Sequence, residues 1–185
     1  MGLFDNLNKT TPTSAAAEKG DNRTVEVQFD KLPENLAEFK ALPQAQLASP
    51  FDTAALTVLA LCFYPENANL SIEMLNYLKG PQPLSAYDQS FIRDRFDNAD
   101  YVARSYFNGS VPQNNYVPAQ PYAIKVSENP YSYQEQGYAK LYLQSGGADS
   151  PRPVRLRLAK DGKWYLWEQN LLAGIRQPES ANPWA

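Results

Sequence analysis

The chain has 185 residues and a mass of 20.8 kDa, which suits one domain with a tail and hardly allows two. A net charge of -3 and the lack of an apolar run near the ~18 residues of a membrane span exclude nucleic-acid binding by bulk charge and a transmembrane helix. There is no histidine and one cysteine, so Ser-His-Asp and Cys-His catalysis, zinc sites using histidine or four thiolates, and an intramolecular disulfide are all excluded.

Residues 1–22 read as a tail. Leu3, Phe4 and Leu7 fall on one face of a single helical turn, a short handle able to dock weakly on a partner. The stretch after them is rich in Thr, Ser and Ala and has no periodicity. Residues 23–185 read as one domain. Its first strand is expected over 24–30, where Val25, Val27 and Phe29 alternate with polar residues. A short helix follows over 35–42 and stops at Pro43. The strongest helix runs over 52–64. It is apolar nearly all round and should be the buried central helix. A second helix spans 70–79, capped by Asn69, with Leu70, Met74, Leu75 and Leu78 as its stripe and Gly80-Pro81 as its stop. A third starts at Ser85, with Asp88 where a capping box would carry Glu or Gln, and turns Tyr87, Phe91 and Ile92 inward. A shorter helix is expected over 99–107, then a Pro-broken stretch to Pro121.

Strands are expected over 122–127, 138–144, 153–160 and 163–168, the last two joined by Asp161-Gly162, the strongest hairpin signal in the chain. On the strand over 138–144, Ala139, Leu141 and Leu143 face away from Tyr138, Lys140 and Tyr142. A two-residue turn would pair Leu158 with Tyr165, Leu156 with Trp167 and Arg155 with Glu168. Val154, Leu156, Leu158, Tyr165 and Trp167 then make the core face, and Trp164 and Leu166 lie beside Arg155 and Arg157 on the other. Helices first and an antiparallel meander after is the α+β pattern: three or four helices packed on a sheet of about four or five strands. The place of the first strand in that sheet is open.

The candidate chemistry is sparse. Cys62 lies in an apolar run that raises a thiol pKa and makes it inert. Asp94, Asp97 and Asp100 lack the EF-hand spacing and read as capping residues. Gly146-Gly147 has no Lys-Ser/Thr after it and is not a phosphate loop. No catalytic residue, metal ligand or cofactor is expected. What stands out is aromatic. Eight of the 12 tyrosines fall between Tyr101 and Tyr142, interleaved with Pro, Asn, Ser and Gln, a composition suited to recognition. The candidate binding residues are Tyr116, Tyr131, Tyr133, Arg155, Arg157 and Trp164. If they form one site, the three tyrosines should be accessible and share a patch with Trp164. The alternative is that these tyrosines staple a long loop onto the body.

The run 146–153, Lys163-Trp164-Tyr165-Leu166-Trp167-Glu168, Leu171-Leu172, Gly174-Ile175-Arg176 and Pro183-Trp184-Ala185 resembles an uncharacterised family of bacterial cytoplasmic proteins. So do Lys79-Gly80-Pro81, Ser105-Tyr106-Phe107-Asn108-Gly109 and Asn114-Asn115-Tyr116. The likeness covers roughly residues 24–185. It implies a shared single-domain fold and no activity, and it supplies no catalytic residue. The start, Met1-Gly2-Leu3-Phe4-Asp5, is not that of a secretory signal, and a cytoplasmic location is expected. The leading functional expectation is a non-enzymatic module binding a protein, peptide or glycan through a Tyr/Trp/Arg-rich surface. Behind it stand a carbohydrate- or metabolite-processing enzyme using carboxylates and tyrosine, and an assembly subunit.

Overall fold

The computed structural model describes residues 20–185. The Leu3, Phe4 and Leu7 handle lies outside them. Five strands form one antiparallel sheet in the order β1 (Thr24–Phe29), β2 (Tyr122–Ser127), β3 (Tyr138–Leu143), β4 (Arg152–Leu158) and β5 (Trp164–Gln169). Four α-helices pack with it: α1 (Leu36–Ala41), α2 (Pro50–Cys62), α3 (Ala68–Lys79) and α4 (Ala86–Phe96). This is the α+β architecture that the order of elements implies. β1 joins the edge of the later meander, Val25 opposite Val126 and Val27 opposite Ile124, so its apolar residues extend the face made by β2.

α2 is the centre of the molecule and crosses all five strands. Ser49 caps it, its Oγ accepting from Phe51 N at 3.2 Å, and Pro50 takes the first helical position, where a missing N–H costs nothing. Eleven of its 13 residues are buried. Its two buried threonines are satisfied: Thr53 Oγ1 donates to Trp164 O at 2.7 Å and Thr57 Oγ1 to Thr53 O at 2.8 Å. Beneath it lie Val27, Phe29, Ile124, Val126, Leu141, Val154, Leu156 and Leu166.

Three local expectations change. α3 begins at Ala68, with Asn67 as its cap accepting from Leu70 N at 3.0 Å, so Asn69 lies inside the helix. Tyr87 is 77% exposed: α4 buries only Ile92 and Phe96, and Phe96 stacks on Tyr64 at 4.9 Å. The stretch over 99–107 forms turns and a 3-10 segment, Arg104–Tyr106, in place of a helix. The capping box at Ser85 does form, with Asp88 in the third position. Asp94 and Asp100 pair with Arg93 and Arg104.

The sheet splays open between β2 and β3, which pair only through Val126–Leu143 and Ser127–Tyr142. Loops fill the gap. Asn108 N donates to Ala123 O at 2.9 Å, and Lys140 N to Ser132 O at 2.8 Å. The segment between β2 and β3 is thereby held along the edge of β3 that β2 leaves unpaired, and the face of the sheet away from α2 is its outer face.

Candidate functional site

The hairpin decides which side chains meet on that outer face. Ala159 N donates to Lys163 O at 2.9 Å and Gly162 N to Ala159 O at 3.0 Å. The loop is therefore three residues, Lys160-Asp161-Gly162, with Gly162 left-handed at φ +81°. A type I turn followed by a left-handed glycine is the ordinary three-residue hairpin loop. Asp161 locks it: its Oδ1 accepts from Lys163 N at 2.9 Å and its Oδ2 from the Tyr165 hydroxyl at 2.7 Å. That hydroxyl bond holds the Asp161 carboxyl below its ordinary range, and the Tyr165 phenol is raised to about 12.

The extra loop residue overturns the expected pairing. Leu158 faces Trp164, Arg157 faces Tyr165 and Leu156 faces Leu166. Leu166 is buried and Trp164 packs against the core, so neither belongs with the arginines. A bulge then leaves Trp167 without a partner on β4 and restores the expected opposition of Arg155 and Glu168. Trp167, read as a core residue, is turned to the outer face.

There it meets β3 and β4. Tyr138 lies opposite Arg157, and Lys140 opposite Arg155. The Arg155 guanidinium sits 4.4 Å from the Tyr138 ring centroid, and that of Arg157 sits 5.5 Å from Tyr138 and 4.7 Å from Trp167. The two rings meet edge to face at 5.7 Å. Lys79, at the end of α3, donates to Trp167 O at 2.9 Å. Arg155 is paired with Glu135. The Arg157 guanidinium has no hydrogen-bond or ion-pair partner among the described residues.

Two clefts open here, one on this face and one at its hairpin end, where it reaches round to Leu158 and Leu166. One, of about 400 Å³, is lined by Tyr131, Glu135, Tyr138, Lys140, Arg155 and Glu168. The other, of about 370 Å³, lies between the Gly80–Gln82 turn and the hairpin and is lined by Lys79, Pro81, Arg157, Leu158, Lys160 and Trp167. Gly80 shapes its wall. It has φ +62°, and a Cβ there would lie 2.3 Å from the Tyr165 ring.

Of the six residues singled out in the sequence, Arg155, Arg157 and Tyr131 come together here. Tyr131 is 67% exposed. Tyr116 is fully buried: its ring stacks on Tyr101 at 5.3 Å, and its hydroxyl donates to Arg176 O. Burial pushes its phenol pKa up. Tyr133 is half-buried and donates to Glu128 Oε2 at 2.8 Å. Trp164 lies on the far side of the sheet from the arginines. The shared patch expected for Tyr116, Tyr131, Tyr133 and Trp164 does not form. Tyr138 and Trp167, not singled out, stand at its centre. The alternation of β3 already places Tyr138 with Lys140, whereas the place of Trp167 depends on the bulge.

Other chemistry is limited. Desolvation pushes the Cys62 thiol up to about 12, so it is not a nucleophile at neutral pH. Glu135 and Glu168 share a cleft, but both are exposed and Glu135 is held by Arg155. Among the described residues no helix is long and apolar enough to cross a membrane.

No curated protein and no solved structure matches the chain. Residues 31–179 match the family described as "Domain of unknown function (DUF6935)", and the chain belongs to that family. The match takes in every strand except β1, and all four helices.

Proposed function

We propose that this member of the family is a binding module whose site is the outer face of β3, β4 and β5, centred on Tyr138, Arg157 and Trp167. The observation that carries the reading is Arg157. Its guanidinium lies against both rings, yet no acid or carbonyl of the described residues uses its five donors. A group fixed in this way binds at lower entropic cost than a free one. Tyr, Trp and Arg are also the residues that dominate binding energy at recognition surfaces.

A thermal-shift screen of metabolites, peptides and glycans tests this, since a ligand selective for the folded state raises the melting temperature. Shifts seen with the native chain should vanish in Arg157→Ala and Tyr138→Ala. Ligands whose shifts survive in both variants would place the site elsewhere and overturn the reading.

A further inference from the structure

We infer that the cleft between the Gly80–Gln82 turn and the β4–β5 hairpin takes a small organic anion, a carboxylate or phosphate ester on a flat apolar body. This deepens the binding-module reading and rests on it. Lys79, Arg157 and Lys160 line the cleft, and among the described residues no acidic side chain does. The acids nearby are engaged or turned elsewhere. Asp161 accepts from Tyr165 and Lys163, Glu135 pairs with Arg155, and Glu168 lies opposite Arg155 on the ladder. Lys79 spends one of its three protons on Trp167 O, leaving two. Three cations around one concavity, with no counter-charge in its lining, are complementary to an anion.

The rings decide between ligand classes. A sugar or a nucleobase would stack on an open aromatic face. Here Arg155 and Arg157 cover Tyr138, and Arg157 covers Trp167. What the site presents outward is guanidinium backed by ring, which suits carboxylate or phosphate. The apolar part of the lining, Pro81, Leu158 and Trp167, gives the body of the ligand its contact, and Leu158 is 41% exposed. An extended peptide is disfavoured because the outer edge of β5 is taken. Trp164 N donates to Leu47 O at 2.8 Å, Trp164 O accepts from Thr53, and Trp167 O accepts from Lys79. A cleft of about 370 Å³ lies at the small end of ligand pockets.

The test is calorimetric titration of the full chain with phenyl phosphate, benzoate and neutral benzyl alcohol. At least one of the two anions should bind saturably, about tenfold or more tighter than benzyl alcohol, and more weakly as salt is added. Arg157→Gln should weaken that binding about tenfold, and Lys160→Gln, an exposed change that leaves folding untouched, by a few-fold. The better anion tells a phosphate ester from a carboxylate. Equal binding of anion and alcohol, no saturable binding of either anion, or anion binding unchanged by both variants would overturn the inference. A neutral or cationic ligand from the broad screen that is lost in Tyr138→Ala would remove the anion assignment alone and leave the face as the site.

Discussion

Strands β4 and β5 carry two unlike surfaces. Toward α2 they present Val154, Leu156 and Leu166, all buried and packed with the helix. Away from it they present Arg155, Arg157 and Trp167, with cations lying on rings. The backbone is shared, so the contrast comes from which side chains the register sends each way, and one loop residue sets it. The loop tyrosines divide along the same line. Tyr116 is buried, while Tyr131 stands in a cleft. Abundant aromatic residues therefore do not by themselves mark a recognition surface. The buried Tyr116 ring holds its loop down, Tyr131 stands open beside the cleft, and the half-buried Tyr138 and Trp167 are the rings that meet Arg157.

The largest test of this division is Tyr116→Ala. Removing a buried aromatic should cost ~3-5 kcal/mol, read from denaturation midpoints. A loss under ~1 kcal/mol would mean that Tyr116 does not hold its loop, and the contrast with Tyr131 would dissolve. Next comes Leu59→Ala, at the middle of α2 and 1% exposed. It should cost ~2-5 kcal/mol, because the helix covers the whole core face of the sheet and cannot collapse into the space left.

Gly162→Ala probes the loop that sets the register. Its φ of +81° forces an alanine into the left-handed region, although no atom of the described residues lies within 4 Å of the added Cβ. The expected cost is ~1-2 kcal/mol, all of it conformational. A neutral outcome would mean a different turn and would return Trp167 to the core.

That turn also marks how far the chain could be read from its letters. Alternation places β1, β2 and β3, and the all-round apolar run places α2, because burial imposes those periods directly. Asp161-Gly162 located the hairpin but not its loop length. Two- and three-residue loops use the same residues, and they differ by one in register. The bulge at Trp167 had no local signal, since it depends on the mismatch that the loop creates. Arg155 and Arg157 are legible as a pair on one face and Tyr138 as a neighbour of Lys140, whereas Trp167 is assigned to the core side.

A smaller effect concerns pH and the same turn. The Tyr165 hydroxyl holds the Asp161 carboxyl below its ordinary value of 3.8. A depressed carboxylate contributes stability above its unfolded pKa, and loses it as pH falls through the folded one. The native chain should therefore exceed Asp161→Asn in stability at neutral pH, and the gap should close in acid below about pH 4. A gap constant from pH 7 to pH 2 would show that the carboxylate charge is not what locks the loop.

The smallest expected change is Tyr131→Ala, and it sharpens the comparison most. Tyr131 is 67% exposed, and its ring makes no aromatic or cation contact with the described residues. The bonds at this position belong to the backbone: its N–H donates to Asn129 Oδ1 at 2.8 Å, and its carbonyl accepts from Gln134 N. Alanine keeps both. Stability should stay within ~0.5 kcal/mol of the native chain, as for other surface changes. The ring nevertheless lines the cleft shared by Tyr138 and Arg155. A ligand reaching from Arg157 toward β3 would lose contact with it, so affinity should fall while the denaturation midpoint holds. That split is the signature of a recognition residue, and Tyr116→Ala cannot show it, because its midpoint falls first. A fall of more than 1 kcal/mol in Tyr131→Ala would place this ring among the staples as well, leaving Tyr138 and Trp167 as the only rings of the site.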